Sequence, residues 1–241
     1  MIRVELDRAG LFEFARNRRI PLREVDLGYI IHCALRGLFA EQAPQPFSWS
    51  DGRRSAAVLG YGAASATELK QSASGQTDQS LFSLYRESTL VSKEIPAVFP
   101  TGHQLNFEIR TCPIVRKSAA GKWHRKGAEV DVFLSRCWQE GEDVIIDRGE
   151  VYREWLSQRL AKGGATRLVS SRMLAFHRER VVRSSHGKKN SFKVSERPVA
   201  ILAGTLEVQD PDAFHALLRR GVGRHCAFGF GMLLLRPSDR P

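Results

Sequence analysis

Apolar and charged residues alternate over residues 2–6, which predicts a short strand. Residues 8–19 form a basic, partly helical connection that Pro21 ends. Asp26 is a fair N-cap, and from it apolar residues recur at Leu27, Ile30, Ile31, Ala34, Leu35, Leu38 and Phe39. Those three- and four-residue steps predict a helix with one face in a core. The same steps place Tyr29, His32 and Arg36 together on the opposite face. A turn with two prolines follows at residues 42–47, then strands over 46–49 and 54–61. Ser65 or Thr67 starts a short helix, residues 72–80 read as a Ser/Gln/Gly-rich loop, and 81–95 are too mixed to assign.

In the second half, residues 98–103 predict a turn and 104–111 alternate as a strand. Residues 128–134 are apolar-rich. Asp147 to Glu150 resembles a capping box, and Val151, Trp155, Leu156 and Leu160 form a helical stripe that Gly163 and Gly164 stop. Strands are predicted over 167–176 and 197–208. Asp210 caps a helix over 211–220 with Pro211 in its first position. A glycine-rich loop and an apolar run, residues 232–235, close the pattern.

Length and composition add a partner. The 241 residues suffice for one large or two small domains, and 42% apolar content supports ordinary globular cores. Net charge is +11, from 37 Lys and Arg against 26 Asp and Glu. Such an excess suits a polyanion; a basic protein from a GC-rich genome is the other reading. The charge is clustered at Arg16, Arg18 and Arg19, from Arg116 to Lys126, from Arg172 to Lys193, and from Arg219 to Arg224. Cys33, Cys112, Cys137 and Cys226 lack metal-ligand spacing and read as buried thiols of a reducing cytosol. Neither a signal peptide nor a membrane span is expected, so the location expected is cytoplasmic, with no membrane partner.

Four constellations carry candidate chemistry. An imidazole titrates near neutrality, so His32 can exchange a proton there; Tyr29 can orient a nucleophile or donate to phosphate, and Arg36 can hold phosphate. An amphipathic helix with a surface histidine is the alternative reading. Arg116, Lys117, Lys122, Arg125 and Lys126 surround an exposed Trp123, which suits phosphate contact with base stacking. Arg172, Arg178, Arg180, Arg183, Lys188 and Lys189 fall in the densest basic run, which predicts a flexible hairpin on an RNA stem. His124, His177, His186 and His225 are lesser acid–base candidates. In the C-terminal stretch, Gly221, Gly223 and Gly229, with Arg219 and Arg224, could bring bare N–H groups to phosphate. The alternative is a structural hairpin beside a buried strand.

The string Gly221-Val-Gly-Arg-His-Cys-Ala-Phe-Gly-Phe-Gly-Met-Leu resembles the glycine-rich signature of the repeat-associated RNA-binding proteins of CRISPR systems, and within them the CasE-type precursor crRNA endoribonucleases. Gly28-Tyr29-Ile30-Ile31-His32 is similar to the Tyr-x-x-His pair of that group, and residues 107–127 resemble it too. The resemblance implies an α+β fold of two tandem ferredoxin-like, βαββαβ domains, 1–97 and 98–241, with an insertion around 128–160. It implies metal-independent cleavage of CRISPR repeat stem-loops by 2′-hydroxyl attack, without cofactors. Tyr29 and His32 would be the catalytic pair; Arg23 and Arg36 join them on charge and proximity. It further implies that the protein stays on its crRNA among the other subunits of an effector complex. A non-catalytic RNA-binding subunit and a basic DNA-binding regulator are the other functions considered.

Overall fold

A computed structural model describes residues 1–22, 26–75, 79–141, 144–185 and 191–238. Strand β1 (Ile2–Asp7) turns Ile2, Val4 and Leu6 inward, as its alternation requires. Helix α1 (Arg8–Asn17) follows, its first turn closed by the Asp7 carboxylate, which accepts from the Gly10 N–H at 2.7 Å. Helix α2 (Leu27–Phe39) buries the predicted stripe. Then come β2 (Phe47–Asp51), β3 (Ser55–Gly60), α3 (Ala66–Ser74), α4 (Gln79–Phe82) and β4 (Val91–Ser92). Ser65 and Glu68 form a reciprocal capping box at the start of α3, which runs into the stretch expected to be a loop. The strands pair antiparallel in the order β2-β3-β1-β4, the order of a βαββαβ ferredoxin-like unit.

The second sheet repeats the plan. Its elements are β5 (Gln104–Thr111), β6 (Ile114–Arg116), β7 (Glu129–Asp131), α5 (Val132–Glu140), α6 (Arg148–Leu160), β8 (Thr166–Ser185), β9 (Ser191–Val208), α7 (Pro211–Arg220) and β10 (Leu234–Pro237). The order β10-β5-β9-β8 is again that of a ferredoxin-like unit, with α6 and α7 as its two helices. The insertion expected around 128–160 is therefore displaced. It lies between β5 and α6 and consists of the β6–β7 ribbon and α5; the helix over 148–160 belongs to the unit itself. Strand β8 extends nine residues beyond the 176 expected, because its outer half runs past its own sheet with mostly basic side chains and, among the described residues, buries only Val181 and Val182.

The cores of the two units interlock. Val182 from β8 is fully buried in the first core beside Leu27, Ile30 and Ile31, and Phe192 packs on the same cluster. Tyr61, from the end of the first sheet, is buried in the second core, and its hydroxyl donates to the Leu233 carbonyl at 2.7 Å. Among the described residues no helix is long and apolar enough to cross a membrane.

Candidate active site

Asp26 fixes the start of α2. One carboxylate oxygen accepts from the Tyr29 N–H at 2.8 Å; the other accepts from the Val182 N–H at 3.0 Å and from Arg183 at 2.8 Å. Gly28 lies where the C-terminal turn crosses the helix, and a Cβ there would stand 2.4 Å from the Phe228 carbonyl oxygen. The turn and the helix can approach this closely only because residue 28 has no side chain.

His32 projects from the next turn and is half-buried. Its ring lies 4.8 Å from that of Phe228 and 6.4 Å from that of Tyr29. Burial lowers its pKa from the usual 6.5, and the charges of Arg36 and Arg183 act in the same direction. A hydrogen bond to the Ala227 backbone opposes them, so the ring N–H donates to that carbonyl. One imidazole nitrogen is thereby committed and the other carries the lone pair. His32 and Arg36 line a cleft of about 1020 Å³ that is also lined by Arg219 and His215 from α7. Arg36 is engaged with Glu41 through two contacts of 2.5 and 3.1 Å, both on the exposed rim.

Tyr29 departs from expectation. Its side chain is 8% exposed, within the first core. Phe192 and Phe228 cover the helix face that the sequence presents as polar, at ring distances of 6.3 and 5.8 Å. The Tyr29 hydroxyl hydrogen-bonds to Cys33, whose pKa burial raises despite that bond. The structure thus brings Tyr29 and His32 together but opens only His32 and Arg36 onto the cleft. Arg23 lies outside the described residues.

The glycine-rich loop serves the fold first. Gly221, Gly223, Gly229 and Gly231 all have φ between 75° and 87°. A Cβ on Gly229 would stand 2.6 Å from the Trp49 indole, and one on Gly223 3.0 Å from Trp155. The Gly221 N–H already donates to the Leu217 carbonyl at 2.8 Å. Gly223 and Gly229 thus press against the protein's own tryptophans, and Gly221 against Pro46 and Cys226, so these close approaches within the fold themselves call for glycine. Arg224 donates to Glu129 at 2.7 Å, and His225 and Arg197 meet the same carboxylate at 3.1 Å each. The His225 hydrogen bond, with the two arginines adding to it, pushes the Glu129 pKa down to about 2.

The other predicted contacts are dispersed. Trp123 is 60% exposed, with the Lys122 ammonium 4.6 Å from its ring centroid. Arg116, Arg125 and Lys126 are exposed on the same ribbon, whereas Lys117 donates to Ser135 at 2.6 Å. Its base is joined to the C-terminal turn through Glu129. On β8, Arg178 pairs with Glu196 at 2.6 Å, Arg180 is exposed, and Arg172 lines a separate groove on the second sheet. His124 stacks on Trp138 and His177 meets Glu179 at 3.4 Å. Lys188, Lys189 and His186 lie outside the described residues. Sequence reasoning missed Phe228, Ala227 and Glu129 as parts of the site; the Ala-Phe-Gly string, Ala227 to Gly229, was the available signal.

The comparisons with known proteins bear on this arrangement. A family model described as "CRISPR associated protein" matches residues 1–237. The CRISPR-associated endoribonuclease Cse3 of Thermus thermophilus is 30% identical over 144 residues. That alignment spans 59% of this chain and 59% of the relative. A structure of CRISPR endoribonuclease Cse3 bound to 19-nucleotide RNA superposes with a TM-score of 0.60 at 21% identity, covering 98% of this chain and 100% of that one. A chain of a CRISPR RNA-guided surveillance complex superposes with a TM-score of 0.56 at 16% identity, covering 99% and 100%.

Proposed function

The chain belongs to the CRISPR-associated protein family, and from that premise we propose that it is an endoribonuclease that cuts CRISPR precursor RNA at its repeat stem-loops. The observation that carries this reading is His32. It stands at the wall of the cleft, its imidazole oriented by the Ala227 carbonyl and kept neutral by burial and adjacent cations. A neutral imidazole with one nitrogen held is prepared to take a proton with the other. The 2′-hydroxyl upstream of the scissile phosphate gives its proton to His32 as its oxygen bonds to phosphorus. The bond from phosphorus to the 5′ oxygen breaks, and that oxygen takes a proton from the imidazolium or from water. The products are a 2′,3′-cyclic phosphate and a 5′-hydroxyl, and the reaction needs no metal.

Arg36 and Arg219 both line the cleft and offset charge on the pentacoordinate phosphate. Tyr29 supports His32 from the core. The exposed cations of the β6–β7 ribbon and of the β8–β9 hairpin hold the RNA, with Trp123 stacking on a base. Domain limits of 1–97 and 98–241 and a cytoplasmic location complete the reading. Since Cse3 is an endoribonuclease by name and a surveillance-complex chain shares the fold, we extend the role to retention of the cut RNA among effector subunits. The test is incubation of a 5′-labelled repeat stem-loop with the protein in EDTA. One cut with a cyclic phosphate end supports the proposal. Tight binding with an intact RNA would instead make the chain a non-catalytic RNA-binding subunit.

A further inference from the structure

We propose that Asp26 and Arg183 are a positioning pair: they fasten the basic β8–β9 hairpin to the catalytic face of α2, and Arg183 acts on cleavage through His32 instead of gripping RNA phosphate. The proposal rests on the reading of His32 as the proton-transfer residue. Its ground is the division of one buried carboxylate between two elements 156 residues apart in sequence. Asp26 is 3% exposed, caps α2 through the Tyr29 N–H, and on its other oxygen holds both the Val182 N–H and the Arg183 guanidinium. Any shift of the hairpin base must therefore move the helix that carries His32, or break a hydrogen-bonded buried ion pair.

Arg183 differs from the arginines farther out on β8. Its Nη1 is committed to Asp26 and to the Val182 carbonyl, at 2.8 and 2.5 Å. Its Nε and Nη2 are buried and have no partner among the described residues. The guanidinium lies 3.8 Å from the Phe228 ring centroid and 6.0 Å from that of Tyr29. No edge of the fork is presented to solvent, so a backbone phosphate cannot meet it as it meets an exposed arginine. What the cation does reach is His32, which it helps keep neutral.

Other groups face His32 as well. On α2 these are Arg36, Tyr29 and Cys33; the C-terminal turn carries His225, held by Glu129, and the buried thiol of Cys226. The same cleft is lined by Glu41, which pairs with Arg36, and by Glu68, Lys93, Glu94, His215 and Arg219. Arg36 and Arg183 supply the cationic influence on its proton, and Arg183 alone of the two is fixed by a buried partner.

The test is single-turnover cleavage of a CRISPR repeat stem-loop between about pH 5 and 8, where an imidazole titrates. Wild type is compared with Asp26→Asn, Arg183→Gln, the double variant and His32→Ala, and RNA affinity is measured against salt. Arg183→Gln is expected to cut about 10- to 100-fold more slowly, the cost of a misplaced catalytic group. Its acid limb should move to higher pH, because a cation beside His32 is gone, while the slope of log affinity against log salt stays unchanged. Asp26→Asn should be similarly slow, and the double variant no slower than the worse single, because both act in one unit. A wild-type rate and pH limb in Arg183→Gln, with the salt slope reduced by about one, would make Arg183 a phosphate contact and overturn the proposal. If Arg183→Gln does not fold, Asp26→Asn decides alone: it removes no cation, and full-rate cleavage by it rejects the pair. His32→Ala separates the two levels, since wild-type cutting by that variant sinks the reading of His32 itself, whatever the other variants do.

Discussion

Burial and two cationic neighbours lower the His32 pKa and so favour its neutral form, and the Ala227 backbone moderates that shift without reversing it. The sign matters for the reaction. A base must be unprotonated, so cleavage is expected to rise with pH and level off, with its inflection on the acid side of 6.5. A rate that falls as pH increases through that region would give His32 the role of acid in the limiting step. Tyr29 makes a sharper distinction. Its phenol is held by Phe192, Phe228 and Cys33, so Tyr29→Phe should keep cleavage within about fivefold, whereas Tyr29→Ala opens a cavity costing about 3–5 kcal/mol in stability. A large rate loss in Tyr29→Phe without a change in melting temperature would place the hydroxyl on the substrate. The spacing of Tyr29, His32 and Arg36 was legible because a helix period fixes it. Burial of Tyr29 was not, because the residues covering it come from positions 192 and 228.

The elements around the site are held by close fits at backbone level. The turn over residues 224–229 crosses α2 at Gly28, rests on Trp49 at Gly229, and is tied down by Glu129 through Arg224 and His225. Gly28→Ala must push the turn away, and is expected to cost about 1–3 kcal/mol of stability and to slow cleavage by displacing the Ala227 carbonyl. A variant that melts and cuts like wild type would show that the turn does not need this approach. Glu129 gives a pH-dependent test. Its folded pKa of about 2 lies below the ordinary 4.5, so it binds fewer protons folded than unfolded in that window. Its contribution is therefore complete above pH 4.5 and is lost as pH falls toward 2. The melting temperature of Glu129→Gln should be lower than that of wild type at neutral pH, and the difference should shrink over that interval. A constant difference would assign the loss to packing. At this scale the sequence was a good guide where one face is buried, as in β5 and α7. It misled where an element projects, as β8 does, since basic residues there hide the strand period. It also misplaced the insertion, because a stripe such as that of α6 shows a buried helix without showing which sheet it covers.

Across the whole molecule, two βαββαβ units share their cores through Val182 on one side and Tyr61 on the other. The doubled ferredoxin-like plan was legible through the family resemblance, since residues 81–95 were too mixed to assign and the strand reading alone did not fix it; the interlock was not legible, since it depends on contacts between positions 156 and 172 residues apart. A net charge of +11, with exposed cations on the ribbon and on β8, favours a polyanion at long range. Arg178 and Arg180, both exposed on β8, are expected to contribute to that term. Replacing them with alanine should reduce the slope of log affinity against log salt by up to about two and leave the rate of bound RNA unchanged. An unaltered slope would take the hairpin off the RNA. The central claim is narrower: His32 moves the proton in a metal-independent transesterification. The measurement that meets it most directly is single-turnover cleavage of a saturating repeat stem-loop in EDTA, wild type beside His32→Ala, with the product ends identified. The account predicts a 2′,3′-cyclic phosphate from wild type and a rate lower by about 10²- to 10⁴-fold in the variant, at nearly unchanged affinity. Equal rates for the two proteins, or a wild type that cuts only when a divalent ion is restored, would contradict it.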